Sequence, residues 1–546
     1  MRVRKPAPAL EYAAVWLLLW GLAVVLQWRA GAFAAEFSSH PDEAAHYITG
    51  LMIRDFVASG HYGAPLTYAE HYYAHYPKVA FGMWPPFFHT VEAAWTLVFS
   101  PGKAPVLLLM ALIAAVTGSS VYFVLRASYS VSAALAGGAL YVMLPLVQAS
   151  TATVMADGLV ALLELWAVIW LMRYVEGERT RHAVLFGVCA ALSMATKANG
   201  VAMVLMPAVM LALTRRWRLL RARGLYYAAA IVLLLGAPWP VLSYRMIERS
   251  MGGEPLTAGA IGGTAVAYLR VLWGTLGWGI VPFCVAGIAL LVVRWRRGQT
   301  DLTLAGAFAL LCSVWAYHVL LGNGADRYMI AALPGAVILA VAGFAWVTRG
   351  RRVVAAVLGL SAAGLFFGYT WTAPHKPYQG FDQVARYLMT TPDFAGGNFL
   401  IVSHARGEGA FITEVAMHDR RPGHLVLRST KLLSSSNWYG SVYRLRYQNA
   451  AELRALLDRA PINAVVLDTR PAEDATDEPA CRLEQAVGSA LAGDANWKLR
   501  AQFPQRRGSA PWIDLYGRVG PQPTGPVTLD LRYTLGKEIV EGKPSQ

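Results

Sequence analysis

Long apolar stretches alternate with short polar ones over the first two thirds of the chain. A helix needs roughly 18 or more apolar residues to cross a bilayer. Runs of about that kind predict spans at 11–31, 103–126, 131–149, 157–174, 183–197, 199–214, 225–243, 268–293, 302–321, 327–348 and 352–372. The segments 183–197 and 199–214 are short and meet at "TKANG", which predicts a tight hairpin. "PPFFHTVEAAWTLVFS" (85–100) carries a double proline, His89 and Glu92, and reads as a helix at the membrane surface rather than a span. After residue 372 the pattern changes. "NFLIVSH" (398–404), "HLVLRS" (424–429) and "INAVVLDT" (462–469) read as strands. "AAELRALLDRA" (450–460) and "CRLEQAVGSALAG" (481–493) have helical periodicity. "WKLRAQF" and "PWIDLYGRV" suggest a closing strand pair, and the tail after Pro521 reads as loosely ordered.

The expected architecture is an α-helical polytopic membrane protein of about eleven transmembrane helices, with a C-terminal soluble α/β domain. Residues 1–372 form the membrane domain, with a large extracytoplasmic loop at 36–102, and 373–546 form the α/β domain. "MRVRK" and the run behind it resemble a signal peptide, but the run is long and further spans follow. An uncleaved first span is expected.

Composition supports this. Hydrophobic residues make up 56% and charged ones only 15%, too little charge to cover the several cores a soluble chain of this length would form. The net charge of +15 comes largely from arginine clusters between the apolar runs, such as "RRWRLLRAR" and "RGRR". Arginines in short loops mark the cytoplasmic side, so this is the charge of a membrane protein and not of a nucleic-acid binder. With Met1 cytoplasmic, these loops fall inside, and 36–102 and the C-terminal domain fall outside the cell (inner) membrane. Four cysteines without CxxC spacing support neither a zinc ribbon nor a disulfide framework.

Polar residues then gather on the outer side. "SSHPDEAAHY" (38–47) begins a helix on local grounds alone. Pro41 suits the first helical position, acids suit the first turn, and Ser39 with Asp42 matches a capping box. The same turn places Asp42 and His46 on one helix face. There Asp42 could take a proton from an acceptor hydroxyl or amine, with Glu43 orienting it. Asp157 heads a span, where solvation or capping explains it equally well. Lys197 and Arg327 are either snorkelling anchors or two cations facing one cavity, as a phosphate leaving group requires. Arg245, Arg249 and Lys78 are further candidate phosphate partners. "HYYAHYPK" (71–78) reads mostly as aromatic anchoring, with sugar stacking as the alternative. Tyr47, His46 and Tyr76 are candidate substrate contacts beside Asp157. No HExxH-type spacing exists, so no metal ligands and no certain cofactor are assigned, and a divalent metal stays open.

The succession "DEAAHY", "PKVAFGMWPPFFH", "MADGL", "ATKANG", "DRYMIAALP" resembles the GT-C membrane glycosyltransferases, closest to the protein O-mannosyltransferase and aminoarabinose-transferase branch (glycosyltransferase family 39-like). The resemblance covers roughly residues 10–350. It implies transfer of a sugar from a polyprenyl-monophosphate donor to an extracytoplasmic lipid, glycan or protein. It implies Asp42 as general base with Glu43 beside it, and sets Asp157, Lys197 and Arg327 at motif positions. One departure stands out. The aminoarabinose branch has Glu-Lys before its double proline, where this chain has Met83 and Trp84, which argues against aminoarabinose transfer to lipid A. The competing readings are a polytopic transporter or lipid-linked sugar flippase, and a non-catalytic envelope-assembly partner.

Overall fold

The protein is described from a computed structural model, which describes residues 9–80, 82–251, 257–322, 324–436, 443–469, 478–506, 509–531 and 537–541. The first nine helices are α1 (Ala9–Arg29), α2 (Pro41–Ser59), α3 (Pro65–His75), α4 (Phe87–Val98), α5 (Lys103–Arg126), α6 (Val131–Met143), α7 (Pro145–Thr151), α8 (Asp157–Gly177) and α9 (Thr180–Thr196). Among the described residues, eight helical segments are long and apolar enough to cross a membrane: α1, α5, α8, Arg223–Tyr244, Ala258–Arg296, Leu302–Leu321, Asp326–Thr348 and Arg352–Thr370. The bent pair α6–α7 makes a ninth if it is one span.

This corrects the count of eleven. The segment 183–197 lies in α9, which is only 17 residues, and 199–214 is a 3₁₀ turn followed by the nine-residue helix Met206–Thr214. The span expected at 131–149 bends by 61° between α6 and α7, where Pro145 starts a new helix. Proline has no N–H for the preceding turn and excludes the helical conformation at the residue before it. Gly277 interrupts Ala258–Arg296 with φ 66° and ψ 178°, and a Cβ there would collide with the Thr370 side chain. Only glycine combines that φ with that approach.

The helix ends sort into two faces. Glu11, Arg126, the arginines of 215–223, and Arg294 paired with Asp301 lie at the ends remote from Asp42. The Glu11–Arg126 pair (2.8 Å) ties the start of α1 to the end of α5. The opposite ends carry Arg29, Lys103, Asp157, Lys197 and Asp326. The 12 residues of α4 reach only about 18 Å, short of a hydrocarbon core. Among the described residues, α4 is not long enough to span a hydrocarbon core as a helix.

Residues 399–518 contain a five-stranded sheet in the order Val426–Arg428, Phe399–Val402, Ala464–Asp468, Ser509–Arg518, Trp497–Arg506. The first three strands are parallel and the last two antiparallel. Every residue of Phe399–Val402 and Ala464–Asp468 is buried, as befits central strands covered on both faces. The tail is not loose throughout: Val527–Leu531 pairs antiparallel with Lys537–Glu541.

The sheet region docks on the loop between α1 and α5 through polar contacts. Arg421 Nε lies 2.8 Å from Asp55, the Tyr76 hydroxyl donates to Asp419 (2.7 Å), and Lys103 pairs with Glu414 (2.9 Å). The connecting segment is also fixed. Lys376 N–H donates to Ala30 O (2.8 Å), and the Arg29 guanidinium lies 4.5 Å from the Trp371 ring centre.

Candidate active site

The start of α2 is built as expected at Pro41, but its cap is one residue later than the capping box requires. His40 is the cap, and its Nδ1 accepts from the Asp42 backbone N–H (3.1 Å). Glu43, not Asp42, reaches back to the Ser39 N–H (2.9 Å). The ring takes the place of a serine hydroxyl and frees Asp42 to point elsewhere.

Asp42 meets Arg327. Arg327 Nη2 donates to Asp42 Oδ2 at 2.9 Å, and Nη1 reaches the His40 ring, 2.8 Å from Nε2. Lys197 meets Asp157, 2.7 Å from Nζ to Oδ1, with both side chains at most 6% exposed. The second oxygen, Asp157 Oδ2, has no hydrogen-bond partner among the described residues. Tyr328 joins the two pairs. Lys197 Nζ lies 5.0 Å and Arg327 Cζ 5.6 Å from its ring centre. Four residues singled out in the sequence, Asp42, Asp157, Lys197 and Arg327, therefore converge at one end of the helix bundle.

The rest separate. Glu43 is fully buried and holds structure together, accepting from Ser39 and Val154 backbone N–H groups and pairing with Lys376. His46 stacks on Trp84 at 4.2 Å, and its Nδ1 lies 3.0 Å from His89 Nε2. Burial pushes both rings well below the ordinary imidazole range and raises the Glu92 carboxyl well above its own. The Glu92 oxygens have no hydrogen-bond partner among the described residues. Gly50 makes room for that side chain, since a Cβ there would lie 2.4 Å from Glu92 Oε2. Tyr47 donates to Pro101 O (2.5 Å) and Tyr76 to Asp419. Lys78, with a pKa brought down to about 7 by burial, donates to Ala405 O (2.9 Å) at the docked sheet region. Tyr47 and Tyr76 are thus engaged elsewhere, whereas Lys78 bonds to the sheet region yet lies near enough to Asp42 for that carboxylate to oppose the lowering of its pKa. The side chains of Arg245 and Arg249 lie outside the described residues.

A cavity of about 510 Å³ opens beside the site, between Pro145, Leu146, Arg270, Thr275, Asp326 and Thr372. Asp326 precedes Arg327 directly. Arg270 makes no ion pair among the described residues. Sequence reading missed it, because one arginine in a long apolar run reads as an anchor. It also missed His40 as a ring facing Arg327, and Lys376, which lies beyond the expected domain boundary. Only the folded chain shows those contacts.

The helix arrangement and the appended sheet match known structures. The crystal structure of ArnT from Cupriavidus metallidurans in the apo state superposes with a TM-score of 0.62 at 15% identity, covering 93% of this chain and all of that one. The chain has the GT-C fold. The same GT-C enzyme bound to undecaprenyl phosphate gives 0.60 at 14% identity, covering 94% and 100%. The archaeal oligosaccharyltransferase AglB from Archaeoglobus fulgidus, in complex with an inhibitory peptide and a dolichol-phosphate, gives 0.54 at 12% identity over 92% of this chain and 75% of that one. Residues 84–242 match the family model described as dolichyl-phosphate-mannose-protein mannosyltransferase. No curated protein matches the chain. The coverage by ArnT includes the C-terminal sheet region, so the GT-C likeness extends past residue 350, where the sequence motifs end.

Proposed function

We propose that the chain is an integral-membrane glycosyltransferase that moves a sugar from a polyprenyl-monophosphate donor to an acceptor on the extracytoplasmic face. The observation that carries this reading is the pair of carboxylate–cation couples, Asp42–Arg327 and Asp157–Lys197, on either side of Tyr328. Likeness to a GT-C structure bound to undecaprenyl phosphate supports the donor class.

In this reading the donor phosphate approaches through the cavity lined by Arg270 and Asp326 and draws on Arg327 and Lys197. Cations already held in place stabilise charge growing on the leaving phosphate without reorganising at the moment of reaction. Donor binding first draws Arg327 from Asp42 to the phosphate, so that before the transfer step Asp42 is free to accept the proton of the attacking acceptor group. Asp157 holds Lys197 in place through their 2.7 Å contact. Glu43 acts as a positioning residue, since its bonds to Ser39, Val154 and Lys376 fix the turn that carries Asp42. The arginine-rich helix ends lie on the remote face, which the positive-inside rule makes cytoplasmic, so the site is extracytoplasmic in the cell membrane.

The test is transfer by purified protein in detergent or liposomes from a panel of radiolabelled polyprenyl-phosphate sugars to envelope lipid and protein fractions. Label transfer dependent on Asp42 supports the proposal. Facilitated flux of the donor across liposomes with no transfer from any donor would replace it with the transporter reading.

A further inference from the structure

A second cluster of ionisable groups lies in the sheet region. It stands at the carboxyl ends of the two central parallel strands, Phe399–Val402 and Ala464–Asp468, where open α/β sheets present ligand-binding residues. His404 follows the first strand and Asp468 ends the second, with His404 Nδ1 3.9 Å from Asp468 Oδ2. Glu484 comes from the helix Glu478–Ala492. One donor atom from each of the three lies within 4.8 Å of the others, and all three residues are buried. The Ser403 hydroxyl donates to Asp468 Oδ2 (2.7 Å). Gln505, 2% exposed, donates from Nε2 to Asp468 Oδ1 (2.5 Å), while its Oε1 has no hydrogen-bond partner among the described residues.

We propose that His404, Asp468 and Glu484 form a binding site for a divalent transition-metal cation of the zinc class. Two carboxylates and an imidazole whose donor atoms lie within 4.8 Å of one another can converge on one divalent cation. One nitrogen and two carboxylate oxygens without a thiolate is a donor set that zinc accepts. A half-turn of the Gln505 carboxamide would offer Oε1 as a fourth oxygen. Ser403 would orient Asp468 from outside the ligand set, as metal-bound carboxylates usually require. The ligands join two strands to the helix Glu478–Ala492, and Gln505 adds the strand Trp497–Arg506. The metal would therefore clamp these elements of the sheet region together.

Tag-free, full-length protein is stripped with EDTA, re-equilibrated with Zn²⁺, Mn²⁺ or Ca²⁺, and assayed for bound metal by mass spectrometry and for thermal unfolding. The expected result is stoichiometric Zn²⁺, a higher unfolding temperature with Zn²⁺ than with EDTA, and at least ten-fold weaker binding in Glu484→Gln and Asp468→Asn. Wild-type protein that retains no Zn²⁺ or Mn²⁺ and gains no thermal protection overturns the proposal. So does a Glu484→Gln variant that binds Zn²⁺ as tightly as wild type, which would mark the metal as adventitious. Because the wild-type titration needs no substitution, a variant that fails to fold still leaves the proposal decided.

Discussion

Arg327 and Asp42, 285 residues apart in the chain, meet at 2.9 Å and close the site between the first loop and the last third of the membrane region. The guanidinium also reaches the His40 ring at 2.8 Å. A planar fork serves both contacts, and a lysine ammonium cannot reproduce them.

Arg327→Lys is therefore expected to keep the charge but lose the geometry. Transfer should fall by about 10²-fold in kcat/KM, the usual scale for removing one donor that stabilises transition-state charge. Steady-state kinetics with the donor varied checks this. A near wild-type rate would make Arg327 an anchor only.

Lys197 and Asp157 separate stability from activity. Lys197→Met leaves a buried carboxylate unpaired and should cost about 3–5 kcal/mol. Adding Asp157→Leu removes the stranded charge, so the double variant should regain most of the unfolding temperature but none of the transfer activity. Thermal unfolding in detergent alongside the transfer assay reads both.

The fold and the site were legible in the sequence to different depths. Apolar runs gave most helices, because crossing a bilayer demands a length that composition displays directly. They overcounted where 183–197 and 199–214 looked apolar enough, since periodicity does not show that the chain turns 3₁₀ after Lys197. The strands at 399–402, 426–428 and 464–468 fell inside the expected stretches. The gathering of Asp42, Asp157, Lys197 and Arg327 at one end of the bundle was legible from loop charge and motif order, but the pairing of each acid with its cation was not. The diversion of Lys78 and Tyr76 to the sheet region was not, because their partners Ala405 and Asp419 lie more than 300 residues away. Gln505 beside Asp468 is likewise a tertiary fact with no local signal.

Lys376 tests whether the sheet region is dispensable. Its ammonium is the cation facing fully buried Glu43, so Lys376→Met should destabilise the start of α2 and lower transfer several-fold, although Lys376 lies 333 residues from Glu43 in the chain. Truncation at about residue 375 should abolish transfer for the same reason. Full activity after truncation would show that Glu43 is satisfied some other way.

Glu36 gives a pH signature. Burial raises its carboxyl from an ordinary 4.5 to about 7, against the stabilising Gln379 N–H (2.8 Å). Glu414 and Lys103 are the nearby charges. The folded state thus holds this proton more tightly than the unfolded state. Its contribution is fully present below about pH 4.5 and is lost as pH rises through about 7. Glu36→Gln should lose less stability than wild type over that window, which unfolding temperatures at pH 5 and pH 8 measure.

The most direct test of the central claim is the transfer rate of purified Asp42→Asn from a polyprenyl-phosphate sugar, measured beside its unfolding temperature. The substitution keeps the shape of the side chain and a partner for Arg327 but removes the base. Loss of transfer by about 10²–10⁴-fold, the range for a positioned general base, with an unfolding temperature near wild type, is the predicted result. Transfer at the wild-type rate by folded Asp42→Asn protein would contradict it.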